Sequence, residues 1–203
     1  VLTQIASTPV STTTDSKRSR RARALPPDER RTAIIRATLP LLLEHAEMVT
    51  TRQIAEAAGI AEGTIFRVFA DKDEVIAAVI DEAIDPTSIE EALGALDLTA
   101  PLDVVLVRVI ELLQERTIKI WRLMSSVGAR FHERVRQPMT DSPAIGSLFE
   151  RHRAELAIEP TAAGRLLRAL TLSTTHPMLV DEPLPPAEIA SLFLHGVSRG
   201  LPC

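Results

Sequence analysis

The chain has 203 residues, with 23 Lys/Arg against 27 Asp/Glu for a net charge of −4, and it contains one cysteine and no tyrosine. A single cysteine excludes an intramolecular disulfide framework, and the acidic balance argues against a general nucleic-acid binder. Five Phe and one Trp are too few rings for a platform that stacks single-stranded bases.

The charge is unevenly spread. Residues 15–36 hold eight Lys/Arg against three acids, whereas residues 81–203 hold 12 Lys/Arg against 17 Asp/Glu. A basic end on an acidic body fits localised contact with a polyanion, and it fits a solvated tail equally well. Val1 to Val10 has neither a basic lead nor an apolar run of signal-peptide length. The most apolar stretch, Pro101 to Leu113, is interrupted by Asp103 and Arg108 and is too short to span a bilayer. A soluble, cytoplasmic protein without a membrane partner is therefore expected.

Residues 1–25 read as a disordered arm, rich in Ser and Thr and ending in Lys17-Arg18-Ser19-Arg20-Arg21-Ala22-Arg23. Order is expected from Pro26-Pro27-Asp28-Glu29, where proline and acids suit a helix start. The first helix runs to about His45, kinked at Pro40 but not ended there, because the apolar spacing continues past it. Three later starts have capping-box spacing: Thr50 with Gln53, Asp71 with Glu74, and Ser88 with Glu91. A long apolar series from Leu102 to Val127 predicts a helix with one buried face, with a break near Arg116-Thr117 left open. Ser142-Pro143 opens a helix to about Ile158, Glu159-Pro160 precedes another over 161–175, and Pro185-Pro186 opens the last, to Gly200. The expected fold is all-α: an arm (1–25), a three-helix helix-turn-helix domain (26–84), and a helical ligand-binding and dimerisation domain (85–203).

Residues 50–74 carry the functional information. They predict a short capped helix from Thr51 to Ala58, a corner at Gly59, and a second short helix from Glu62 to about Val68. Ile54, Ile60 and Ile65 form a small core, Ala55 and Ala58 allow a close crossing, and Gly59 supplies the positive φ of the corner. In this geometry the second helix lies in a DNA major groove and the first crosses the backbone.

The stretch Thr51-Arg52-Gln53-Ile54-Ala55, with Ala58-Gly59, Gly63-Thr64-Ile65-Phe66, Phe69 and Lys72 in register, resembles the N-terminal domain of the TetR (tetracycline repressor) family over roughly residues 28–84. The resemblance implies a DNA-facing set of Thr51, Arg52, Glu62, Gly63, Thr64, Phe66, Arg67 and Lys72. Within it Arg52 and Lys72 reach phosphates, Gly63 lets the backbone approach, and Thr64 and Arg67 contact bases or phosphates. Arg67 suits a guanine edge, and Glu62 stands where a cytosine amino group would find an acceptor. Phe66 either faces DNA or packs beneath the motif. The sequence departs from the family at Ala46 for Gly, Ala61 for Ser, Phe66 for Tyr and Ala70 for Pro or Ser.

For the remainder, the resemblance implies a homodimer on operator DNA, joined through the last two helices. Ala163, Leu166, Leu167, Leu170, Ile189, Phe193, Gly196 and Val197 are the interface candidates, in competition with the domain's own core. It also implies an apolar or amphipathic small-molecule effector, with Trp121, Met124, Phe131, Phe149 and His176 as candidate pocket residues. An enzyme is not expected. Neither His-Glu-x-x-His, nor a Gly-rich phosphate loop, nor Gly-x-Ser-x-Gly occurs, and the five histidines lack metal-ligand spacing. No cofactor or metal is expected. The alternative is a non-catalytic helical module that uses the motif as a protein-binding surface.

Overall fold

The computed structural model describes residues 26–135 and 141–197. The basic arm and residues 198–203 lie outside the described residues. Every regular element among those described is helical, as the all-α reading expects.

Helix α1, Pro27–His45, starts on Pro26 with Asp28 and Glu29 in its first turn, and it runs on through Pro40. It ends at Ala46, whose φ of 52° and ψ of −142° make it the one non-glycine residue at positive φ among the described residues. That backbone is comfortable only for glycine, so the alanine is strained. A 3₁₀ turn, Ala46–Met48, leads into α2, Thr51–Ala57, and then α3, Glu62–Ile65. Helix α4, Lys72–Ile84, is capped by Asp71, whose carboxylate accepts the Glu74 N–H at 2.8 Å.

Helix α5, Thr87–Gly94, corrects the expected start at Ser88. Pro86 already has near-helical dihedrals (φ −75°, ψ −12°), so the cap falls two residues early, on Pro86, and Ser88 lies inside the helix. Asp85 accepts the Thr87 N–H at 2.7 Å instead. Helix α6, Leu102–Ser126, is unbroken at Arg116-Thr117. There the Thr117 hydroxyl bonds back to the Leu113 carbonyl at 2.8 Å, and Arg116 reaches sideways to the Ile84 carbonyl at 2.6 Å. Helix α7, Pro143–Arg151, is capped by Ser142 as expected but stops well before Ile158. A 3₁₀ turn, Arg153–Glu155, follows it and delivers Leu156 to the core. Helices α8, Pro160–Ser173, and α9, Pro186–Val197, complete the described chain.

Two buried clusters hold these helices. The first joins α1 to α4 and is completed by Leu123 and Met124 of α6 with Val127 and Phe131 beyond it. The second joins α5 to α9 around Leu106, Ile110, Phe149 and Phe193. One 25-residue helix thus lends its first half to one core and its last turns to the other. A 3₁₀ turn after it, Ala129–Val135, reinforces the junction. Arg134 makes paired bonds to Asp81 of α4 at 2.6 and 2.7 Å, Arg130 meets Asp73 at 3.0 Å, and the Gly128 N–H donates to Glu47.

Candidate nucleic-acid interface and internal cavity

The motif is shaped by its own backbone. Thr50 and Gln53 form a reciprocal capping box, the Thr50 N–H donating at 2.8 Å and the Gln53 N–H at 3.2 Å. The far end of α2 closes on Gly59 (φ +66°): the Ile60 N–H donates to the Ala55 carbonyl at 3.0 Å and the Gly59 N–H to Glu56 at 3.1 Å. These two bonds satisfy carbonyls that the helix end would otherwise leave open, and the left-handed residue between them turns the chain sharply. Ile54 and Ile65 are fully buried across the corner. Helix α3 is shorter than the expected 62–68. From Phe66 the chain goes into turns with i to i+3 bonds, Arg67 to Thr64 and Val68 to Ile65, which swing Phe69 into the core. Ala61 caps α3 without a side-chain bond, as its lack of a hydroxyl predicts.

Several of the expected DNA-facing residues lie at the surface of this unit. Arg52, Gly63 and Arg67 are exposed and Thr64 is half-buried. Phe66 is 52% exposed, so it faces outward and does not pack beneath the motif. A methyl group added at Gly63 would meet nothing within 4 Å, so the protein's own packing does not require glycine there. Arg52 and Arg67 have no acidic partner among the described residues.

Two expectations need correction. Lys72 is not a freely presented cation: its ammonium donates to the carbonyls of Glu47 at 2.9 Å and Val49 at 3.2 Å, bracing the turn before α2. Its half-buried position at the start of α4 places it against unpaired carbonyls, which take two of its three protons. Glu62 accepts the Thr51 hydroxyl at 2.5 Å, so both side chains tie the starts of α2 and α3 together and are not presented singly. Arg31 was not foreseen. Its guanidinium lies 4.4 Å from the Phe69 ring centroid and 4.0 Å from Glu74, steadying the α3–α4 joint. Only its place in the basic stretch hinted at it.

Residues 26–84 carry six Lys/Arg against eleven Asp/Glu, a net −5. The acids are mostly occupied: Asp71 and Glu74 at the cap of α4, Glu62 at Thr51, and Glu47, Asp73 and Asp81 at the Ala129–Val135 turn.

The body contains a cavity of about 1510 Å³, between α5, α6 and α8 with the start of α7. Trp121, Met124 and His176 line it, with the Trp121 and His176 rings edge-on at 4.8 Å. Phe131 and Phe149 do not. Phe131 belongs to the first core, and Phe149 is fully buried in the second, 5.5 Å from Phe193. Its polar wall residues were missed, among them Arg116, Arg168 and Thr171. The signal for Arg116 was the polar pair Arg116-Thr117 in an otherwise apolar stripe, which marks a polar wall and not a helix break. Burial lowers the Arg116 pKa from its usual value, opposed by Asp85 and Glu90 and reinforced by the charge of Arg168.

The interface candidates divide. Ala163, Leu167, Ile189 and Phe193 are buried in the chain's own second core, because the apolar stripes of α8 and α9 first close on α6 and α7. Leu166 is 44% exposed and Leu170 half-buried; Leu192, one turn before the end of α9, is 51% exposed. Gly196 and the side chain of Val197 lie outside the described residues. Among the described residues no cluster of three His, Cys, Asp or Glu could hold a metal ion, and no helix is long and apolar enough to cross a membrane.

Residues 34–79 match the family of bacterial regulatory proteins described as the tetR family. No curated protein matches the chain. Among solved structures, the chain is similar to NalD of Pseudomonas aeruginosa, described as the secondary repressor of the MexAB-OprM multidrug efflux pump, at 24% identity and a TM-score of 0.51, over 86% of this chain and 100% of that one. A Mesorhizobium loti protein described as a TetR-family transcriptional regulator superposes at a TM-score of 0.59 and 16% identity, over 86% of this chain and 100% of its own. A tetR-family transcriptional regulator from Streptomyces coelicolor gives 0.52 and 21%, over 85% and 80%. At these identities the likeness is one of fold.

Proposed function

We propose that the chain, whose residues 34–79 match the tetR family of bacterial regulatory proteins, is a DNA-binding regulator of transcription that represses by holding a palindromic operator as a homodimer, and that a small molecule in the cavity releases it. The observation that carries the reading is the exposure of Arg52, Gly63, Phe66 and Arg67 on the helix-turn-helix unit, where both arginines lack an acidic partner although residues 26–84 have a net charge of −5. Unpaired guanidinium groups beside a glycine that nothing in the protein needs suit close approach to a phosphate backbone and a base edge. Arg52 takes phosphate and Arg67 a base edge or phosphate. Thr64 and Phe66 add contacts, and Lys72 with the Thr51–Glu62 pair holds the motif in shape. The arm at residues 17–23 adds sequence-independent, salt-sensitive affinity.

One motif is too small a contact set for specificity, so two copies are required, set about one helical turn of DNA (roughly 34 Å) apart. The outward leucines of α8 and α9, Leu166 and Leu192, supply the apolar face for that pairing. Release follows from the position of the cavity. Its wall includes Trp121 and Met124 of α6 and Arg134 of the turn beyond, and Arg134 holds α4 through Asp81. A ligand that shifts this wall shifts the reading motif, and two shifted motifs no longer match the operator spacing. Repression itself is steric, an occupied operator denying polymerase its promoter.

Titration of labelled DNA flanking the protein's own gene, followed by anisotropy at several salt concentrations, tests the reading. Binding to a near-palindrome by two chains, weakening steeply with salt, is the expected result. Absence of binding at low salt overturns it and leaves the protein-interaction module.

A further inference from the structure

The cavity wall is mostly apolar, and the charges on it, three arginines against three acids, are answered from within the protein. Arg116 donates to the Ile84 carbonyl at 2.6 Å and lies in the field of Asp85 and Glu90. Arg134 is paired with Asp81, and Arg168 is engaged as well. Asp141 receives two bonds from Arg165 at 2.7 and 2.8 Å, and Glu90 accepts the Ala144 N–H at 3.0 Å. The last acid, Glu91, is exposed, where water screens it. An ion entering the chamber therefore meets charges that already balance, and its desolvation is left uncompensated.

Two wall groups remain unspent, and both are neutral. The Trp121 and His176 rings, each half-buried, meet edge-on with centroids 4.8 Å apart. The Met178 N–H donates to His176 Nδ1 at 3.2 Å, which places the proton of the neutral ring on Nε2. Neither that Nε2–H nor the Trp121 Nε1–H has an oxygen or nitrogen acceptor among the described residues. Half-buried ring N–H groups of this kind normally find a partner. A carbonyl oxygen satisfies them without bringing a charge into the chamber.

We infer that the cavity takes an uncharged, largely apolar molecule bearing a carbonyl group, whose oxygen accepts from the ring N–H groups of Trp121 and His176 while its body fills the apolar part of the wall. This rests on the effector reading of the cavity and specifies its chemistry. A hydrocarbon leaves both donors unanswered. An anion or a cation finds no counter-charge that the protein has not already used.

The experiment titrates the full chain by calorimetry with compounds that share one skeleton: butyrophenone, butylbenzene, 4-phenylbutyrate and 4-phenylbutylammonium. Operator release is read separately by anisotropy. Butyrophenone is expected to bind about fivefold to tenfold more tightly than butylbenzene, the net worth of its hydrogen bonds, and both ions should bind more weakly than butylbenzene. His176→Phe and Trp121→Phe each keep an aromatic ring and remove one donor. Each should lower the butyrophenone-to-butylbenzene ratio, and the two together should bring it to about one. Ile120→Val, a change in the apolar wall alone, should weaken both compounds together and keep the ratio. Equal binding of butyrophenone and butylbenzene, tighter binding of either ion, a ratio that survives the double variant, or no binding of any compound overturns the inference. Butylbenzene that binds as well as the ketone and releases DNA sinks the carbonyl but keeps the effector. Preferential butyrophenone binding without DNA release does the reverse.

Discussion

The hydrogen bonds that shape residues 50–69 join positions at most eleven apart, whereas the cavity wall is gathered from residues between 84 and 178. The motif is largely a local object: a cap, a left-handed glycine and one tie between helix starts shape it, with Lys72 as the longer-range brace. The cavity is a by-product of packing, bounded wherever α5, α6 and α8 fail to meet. The difference separates two kinds of vulnerability. Exposed side chains of the motif can be removed without cost to the fold, while residues far from the cavity in sequence still determine whether it exists.

The largest effect should come from the nonlocal side. Phe149→Ala, in the second core and away from the cavity wall, is expected to cost about 3–5 kcal/mol in urea unfolding, with Trp121 emission disturbed as well. A loss below about 1 kcal/mol would mean that this core is not the cavity's scaffold. On the local side, Arg52→Ala combined with Arg67→Ala should lower operator affinity by about 1–3 kcal/mol for each arginine removed, with the melting temperature unmoved. A comparable fall in melting temperature would break the contrast.

Arg134→Ala cuts the tie between cavity wall and α4. It should reduce ligand-driven operator release by about 0.5–2 kcal/mol of coupling, visible as a release curve shifted by more than any change in ligand affinity accounts for. Ala46→Gly relieves the positive-φ alanine after α1 and should raise stability by about 1 kcal/mol, since strain relief exceeds the added chain entropy. The smallest effect is the sharpest test. Gly63→Ala meets open space within the protein and should stabilise the short helix by up to about 1 kcal/mol, yet weaken DNA binding. Unchanged DNA affinity in that variant would remove Gly63 from the interface.

Which parts were readable in advance follows the same division. Thr50 with Gln53, the turn at Gly59 and the core of Ile54 and Ile65 were legible because each depends on neighbours within a few residues. Proline marked the starts of α1, α7, α8 and α9 for the same reason. Ser88 misled because its cap spacing competed with Pro86, whose fixed φ opened the helix first. Lys72 was correctly placed at a helix start, but its ammonium turned toward carbonyls 23 and 25 residues away, which no local pattern reports. Phe131 and Phe149 were apolar enough for either a cavity or a core, and periodicity does not distinguish the two.

The chain's own order of residues determined an all-α protein and a capped, glycine-cornered reading motif with Arg52 and Arg67 on it, because caps, turns and helical period act over a few bonds. Tertiary packing alone decided that α6 serves two cores, that Ala163, Leu167, Ile189 and Phe193 turn inward, and that Arg116, Arg168 and Thr171 share one chamber. Those outcomes depend on which helix faces which, and burial of one apolar stripe against another is settled only when all the helices compete for the same interior.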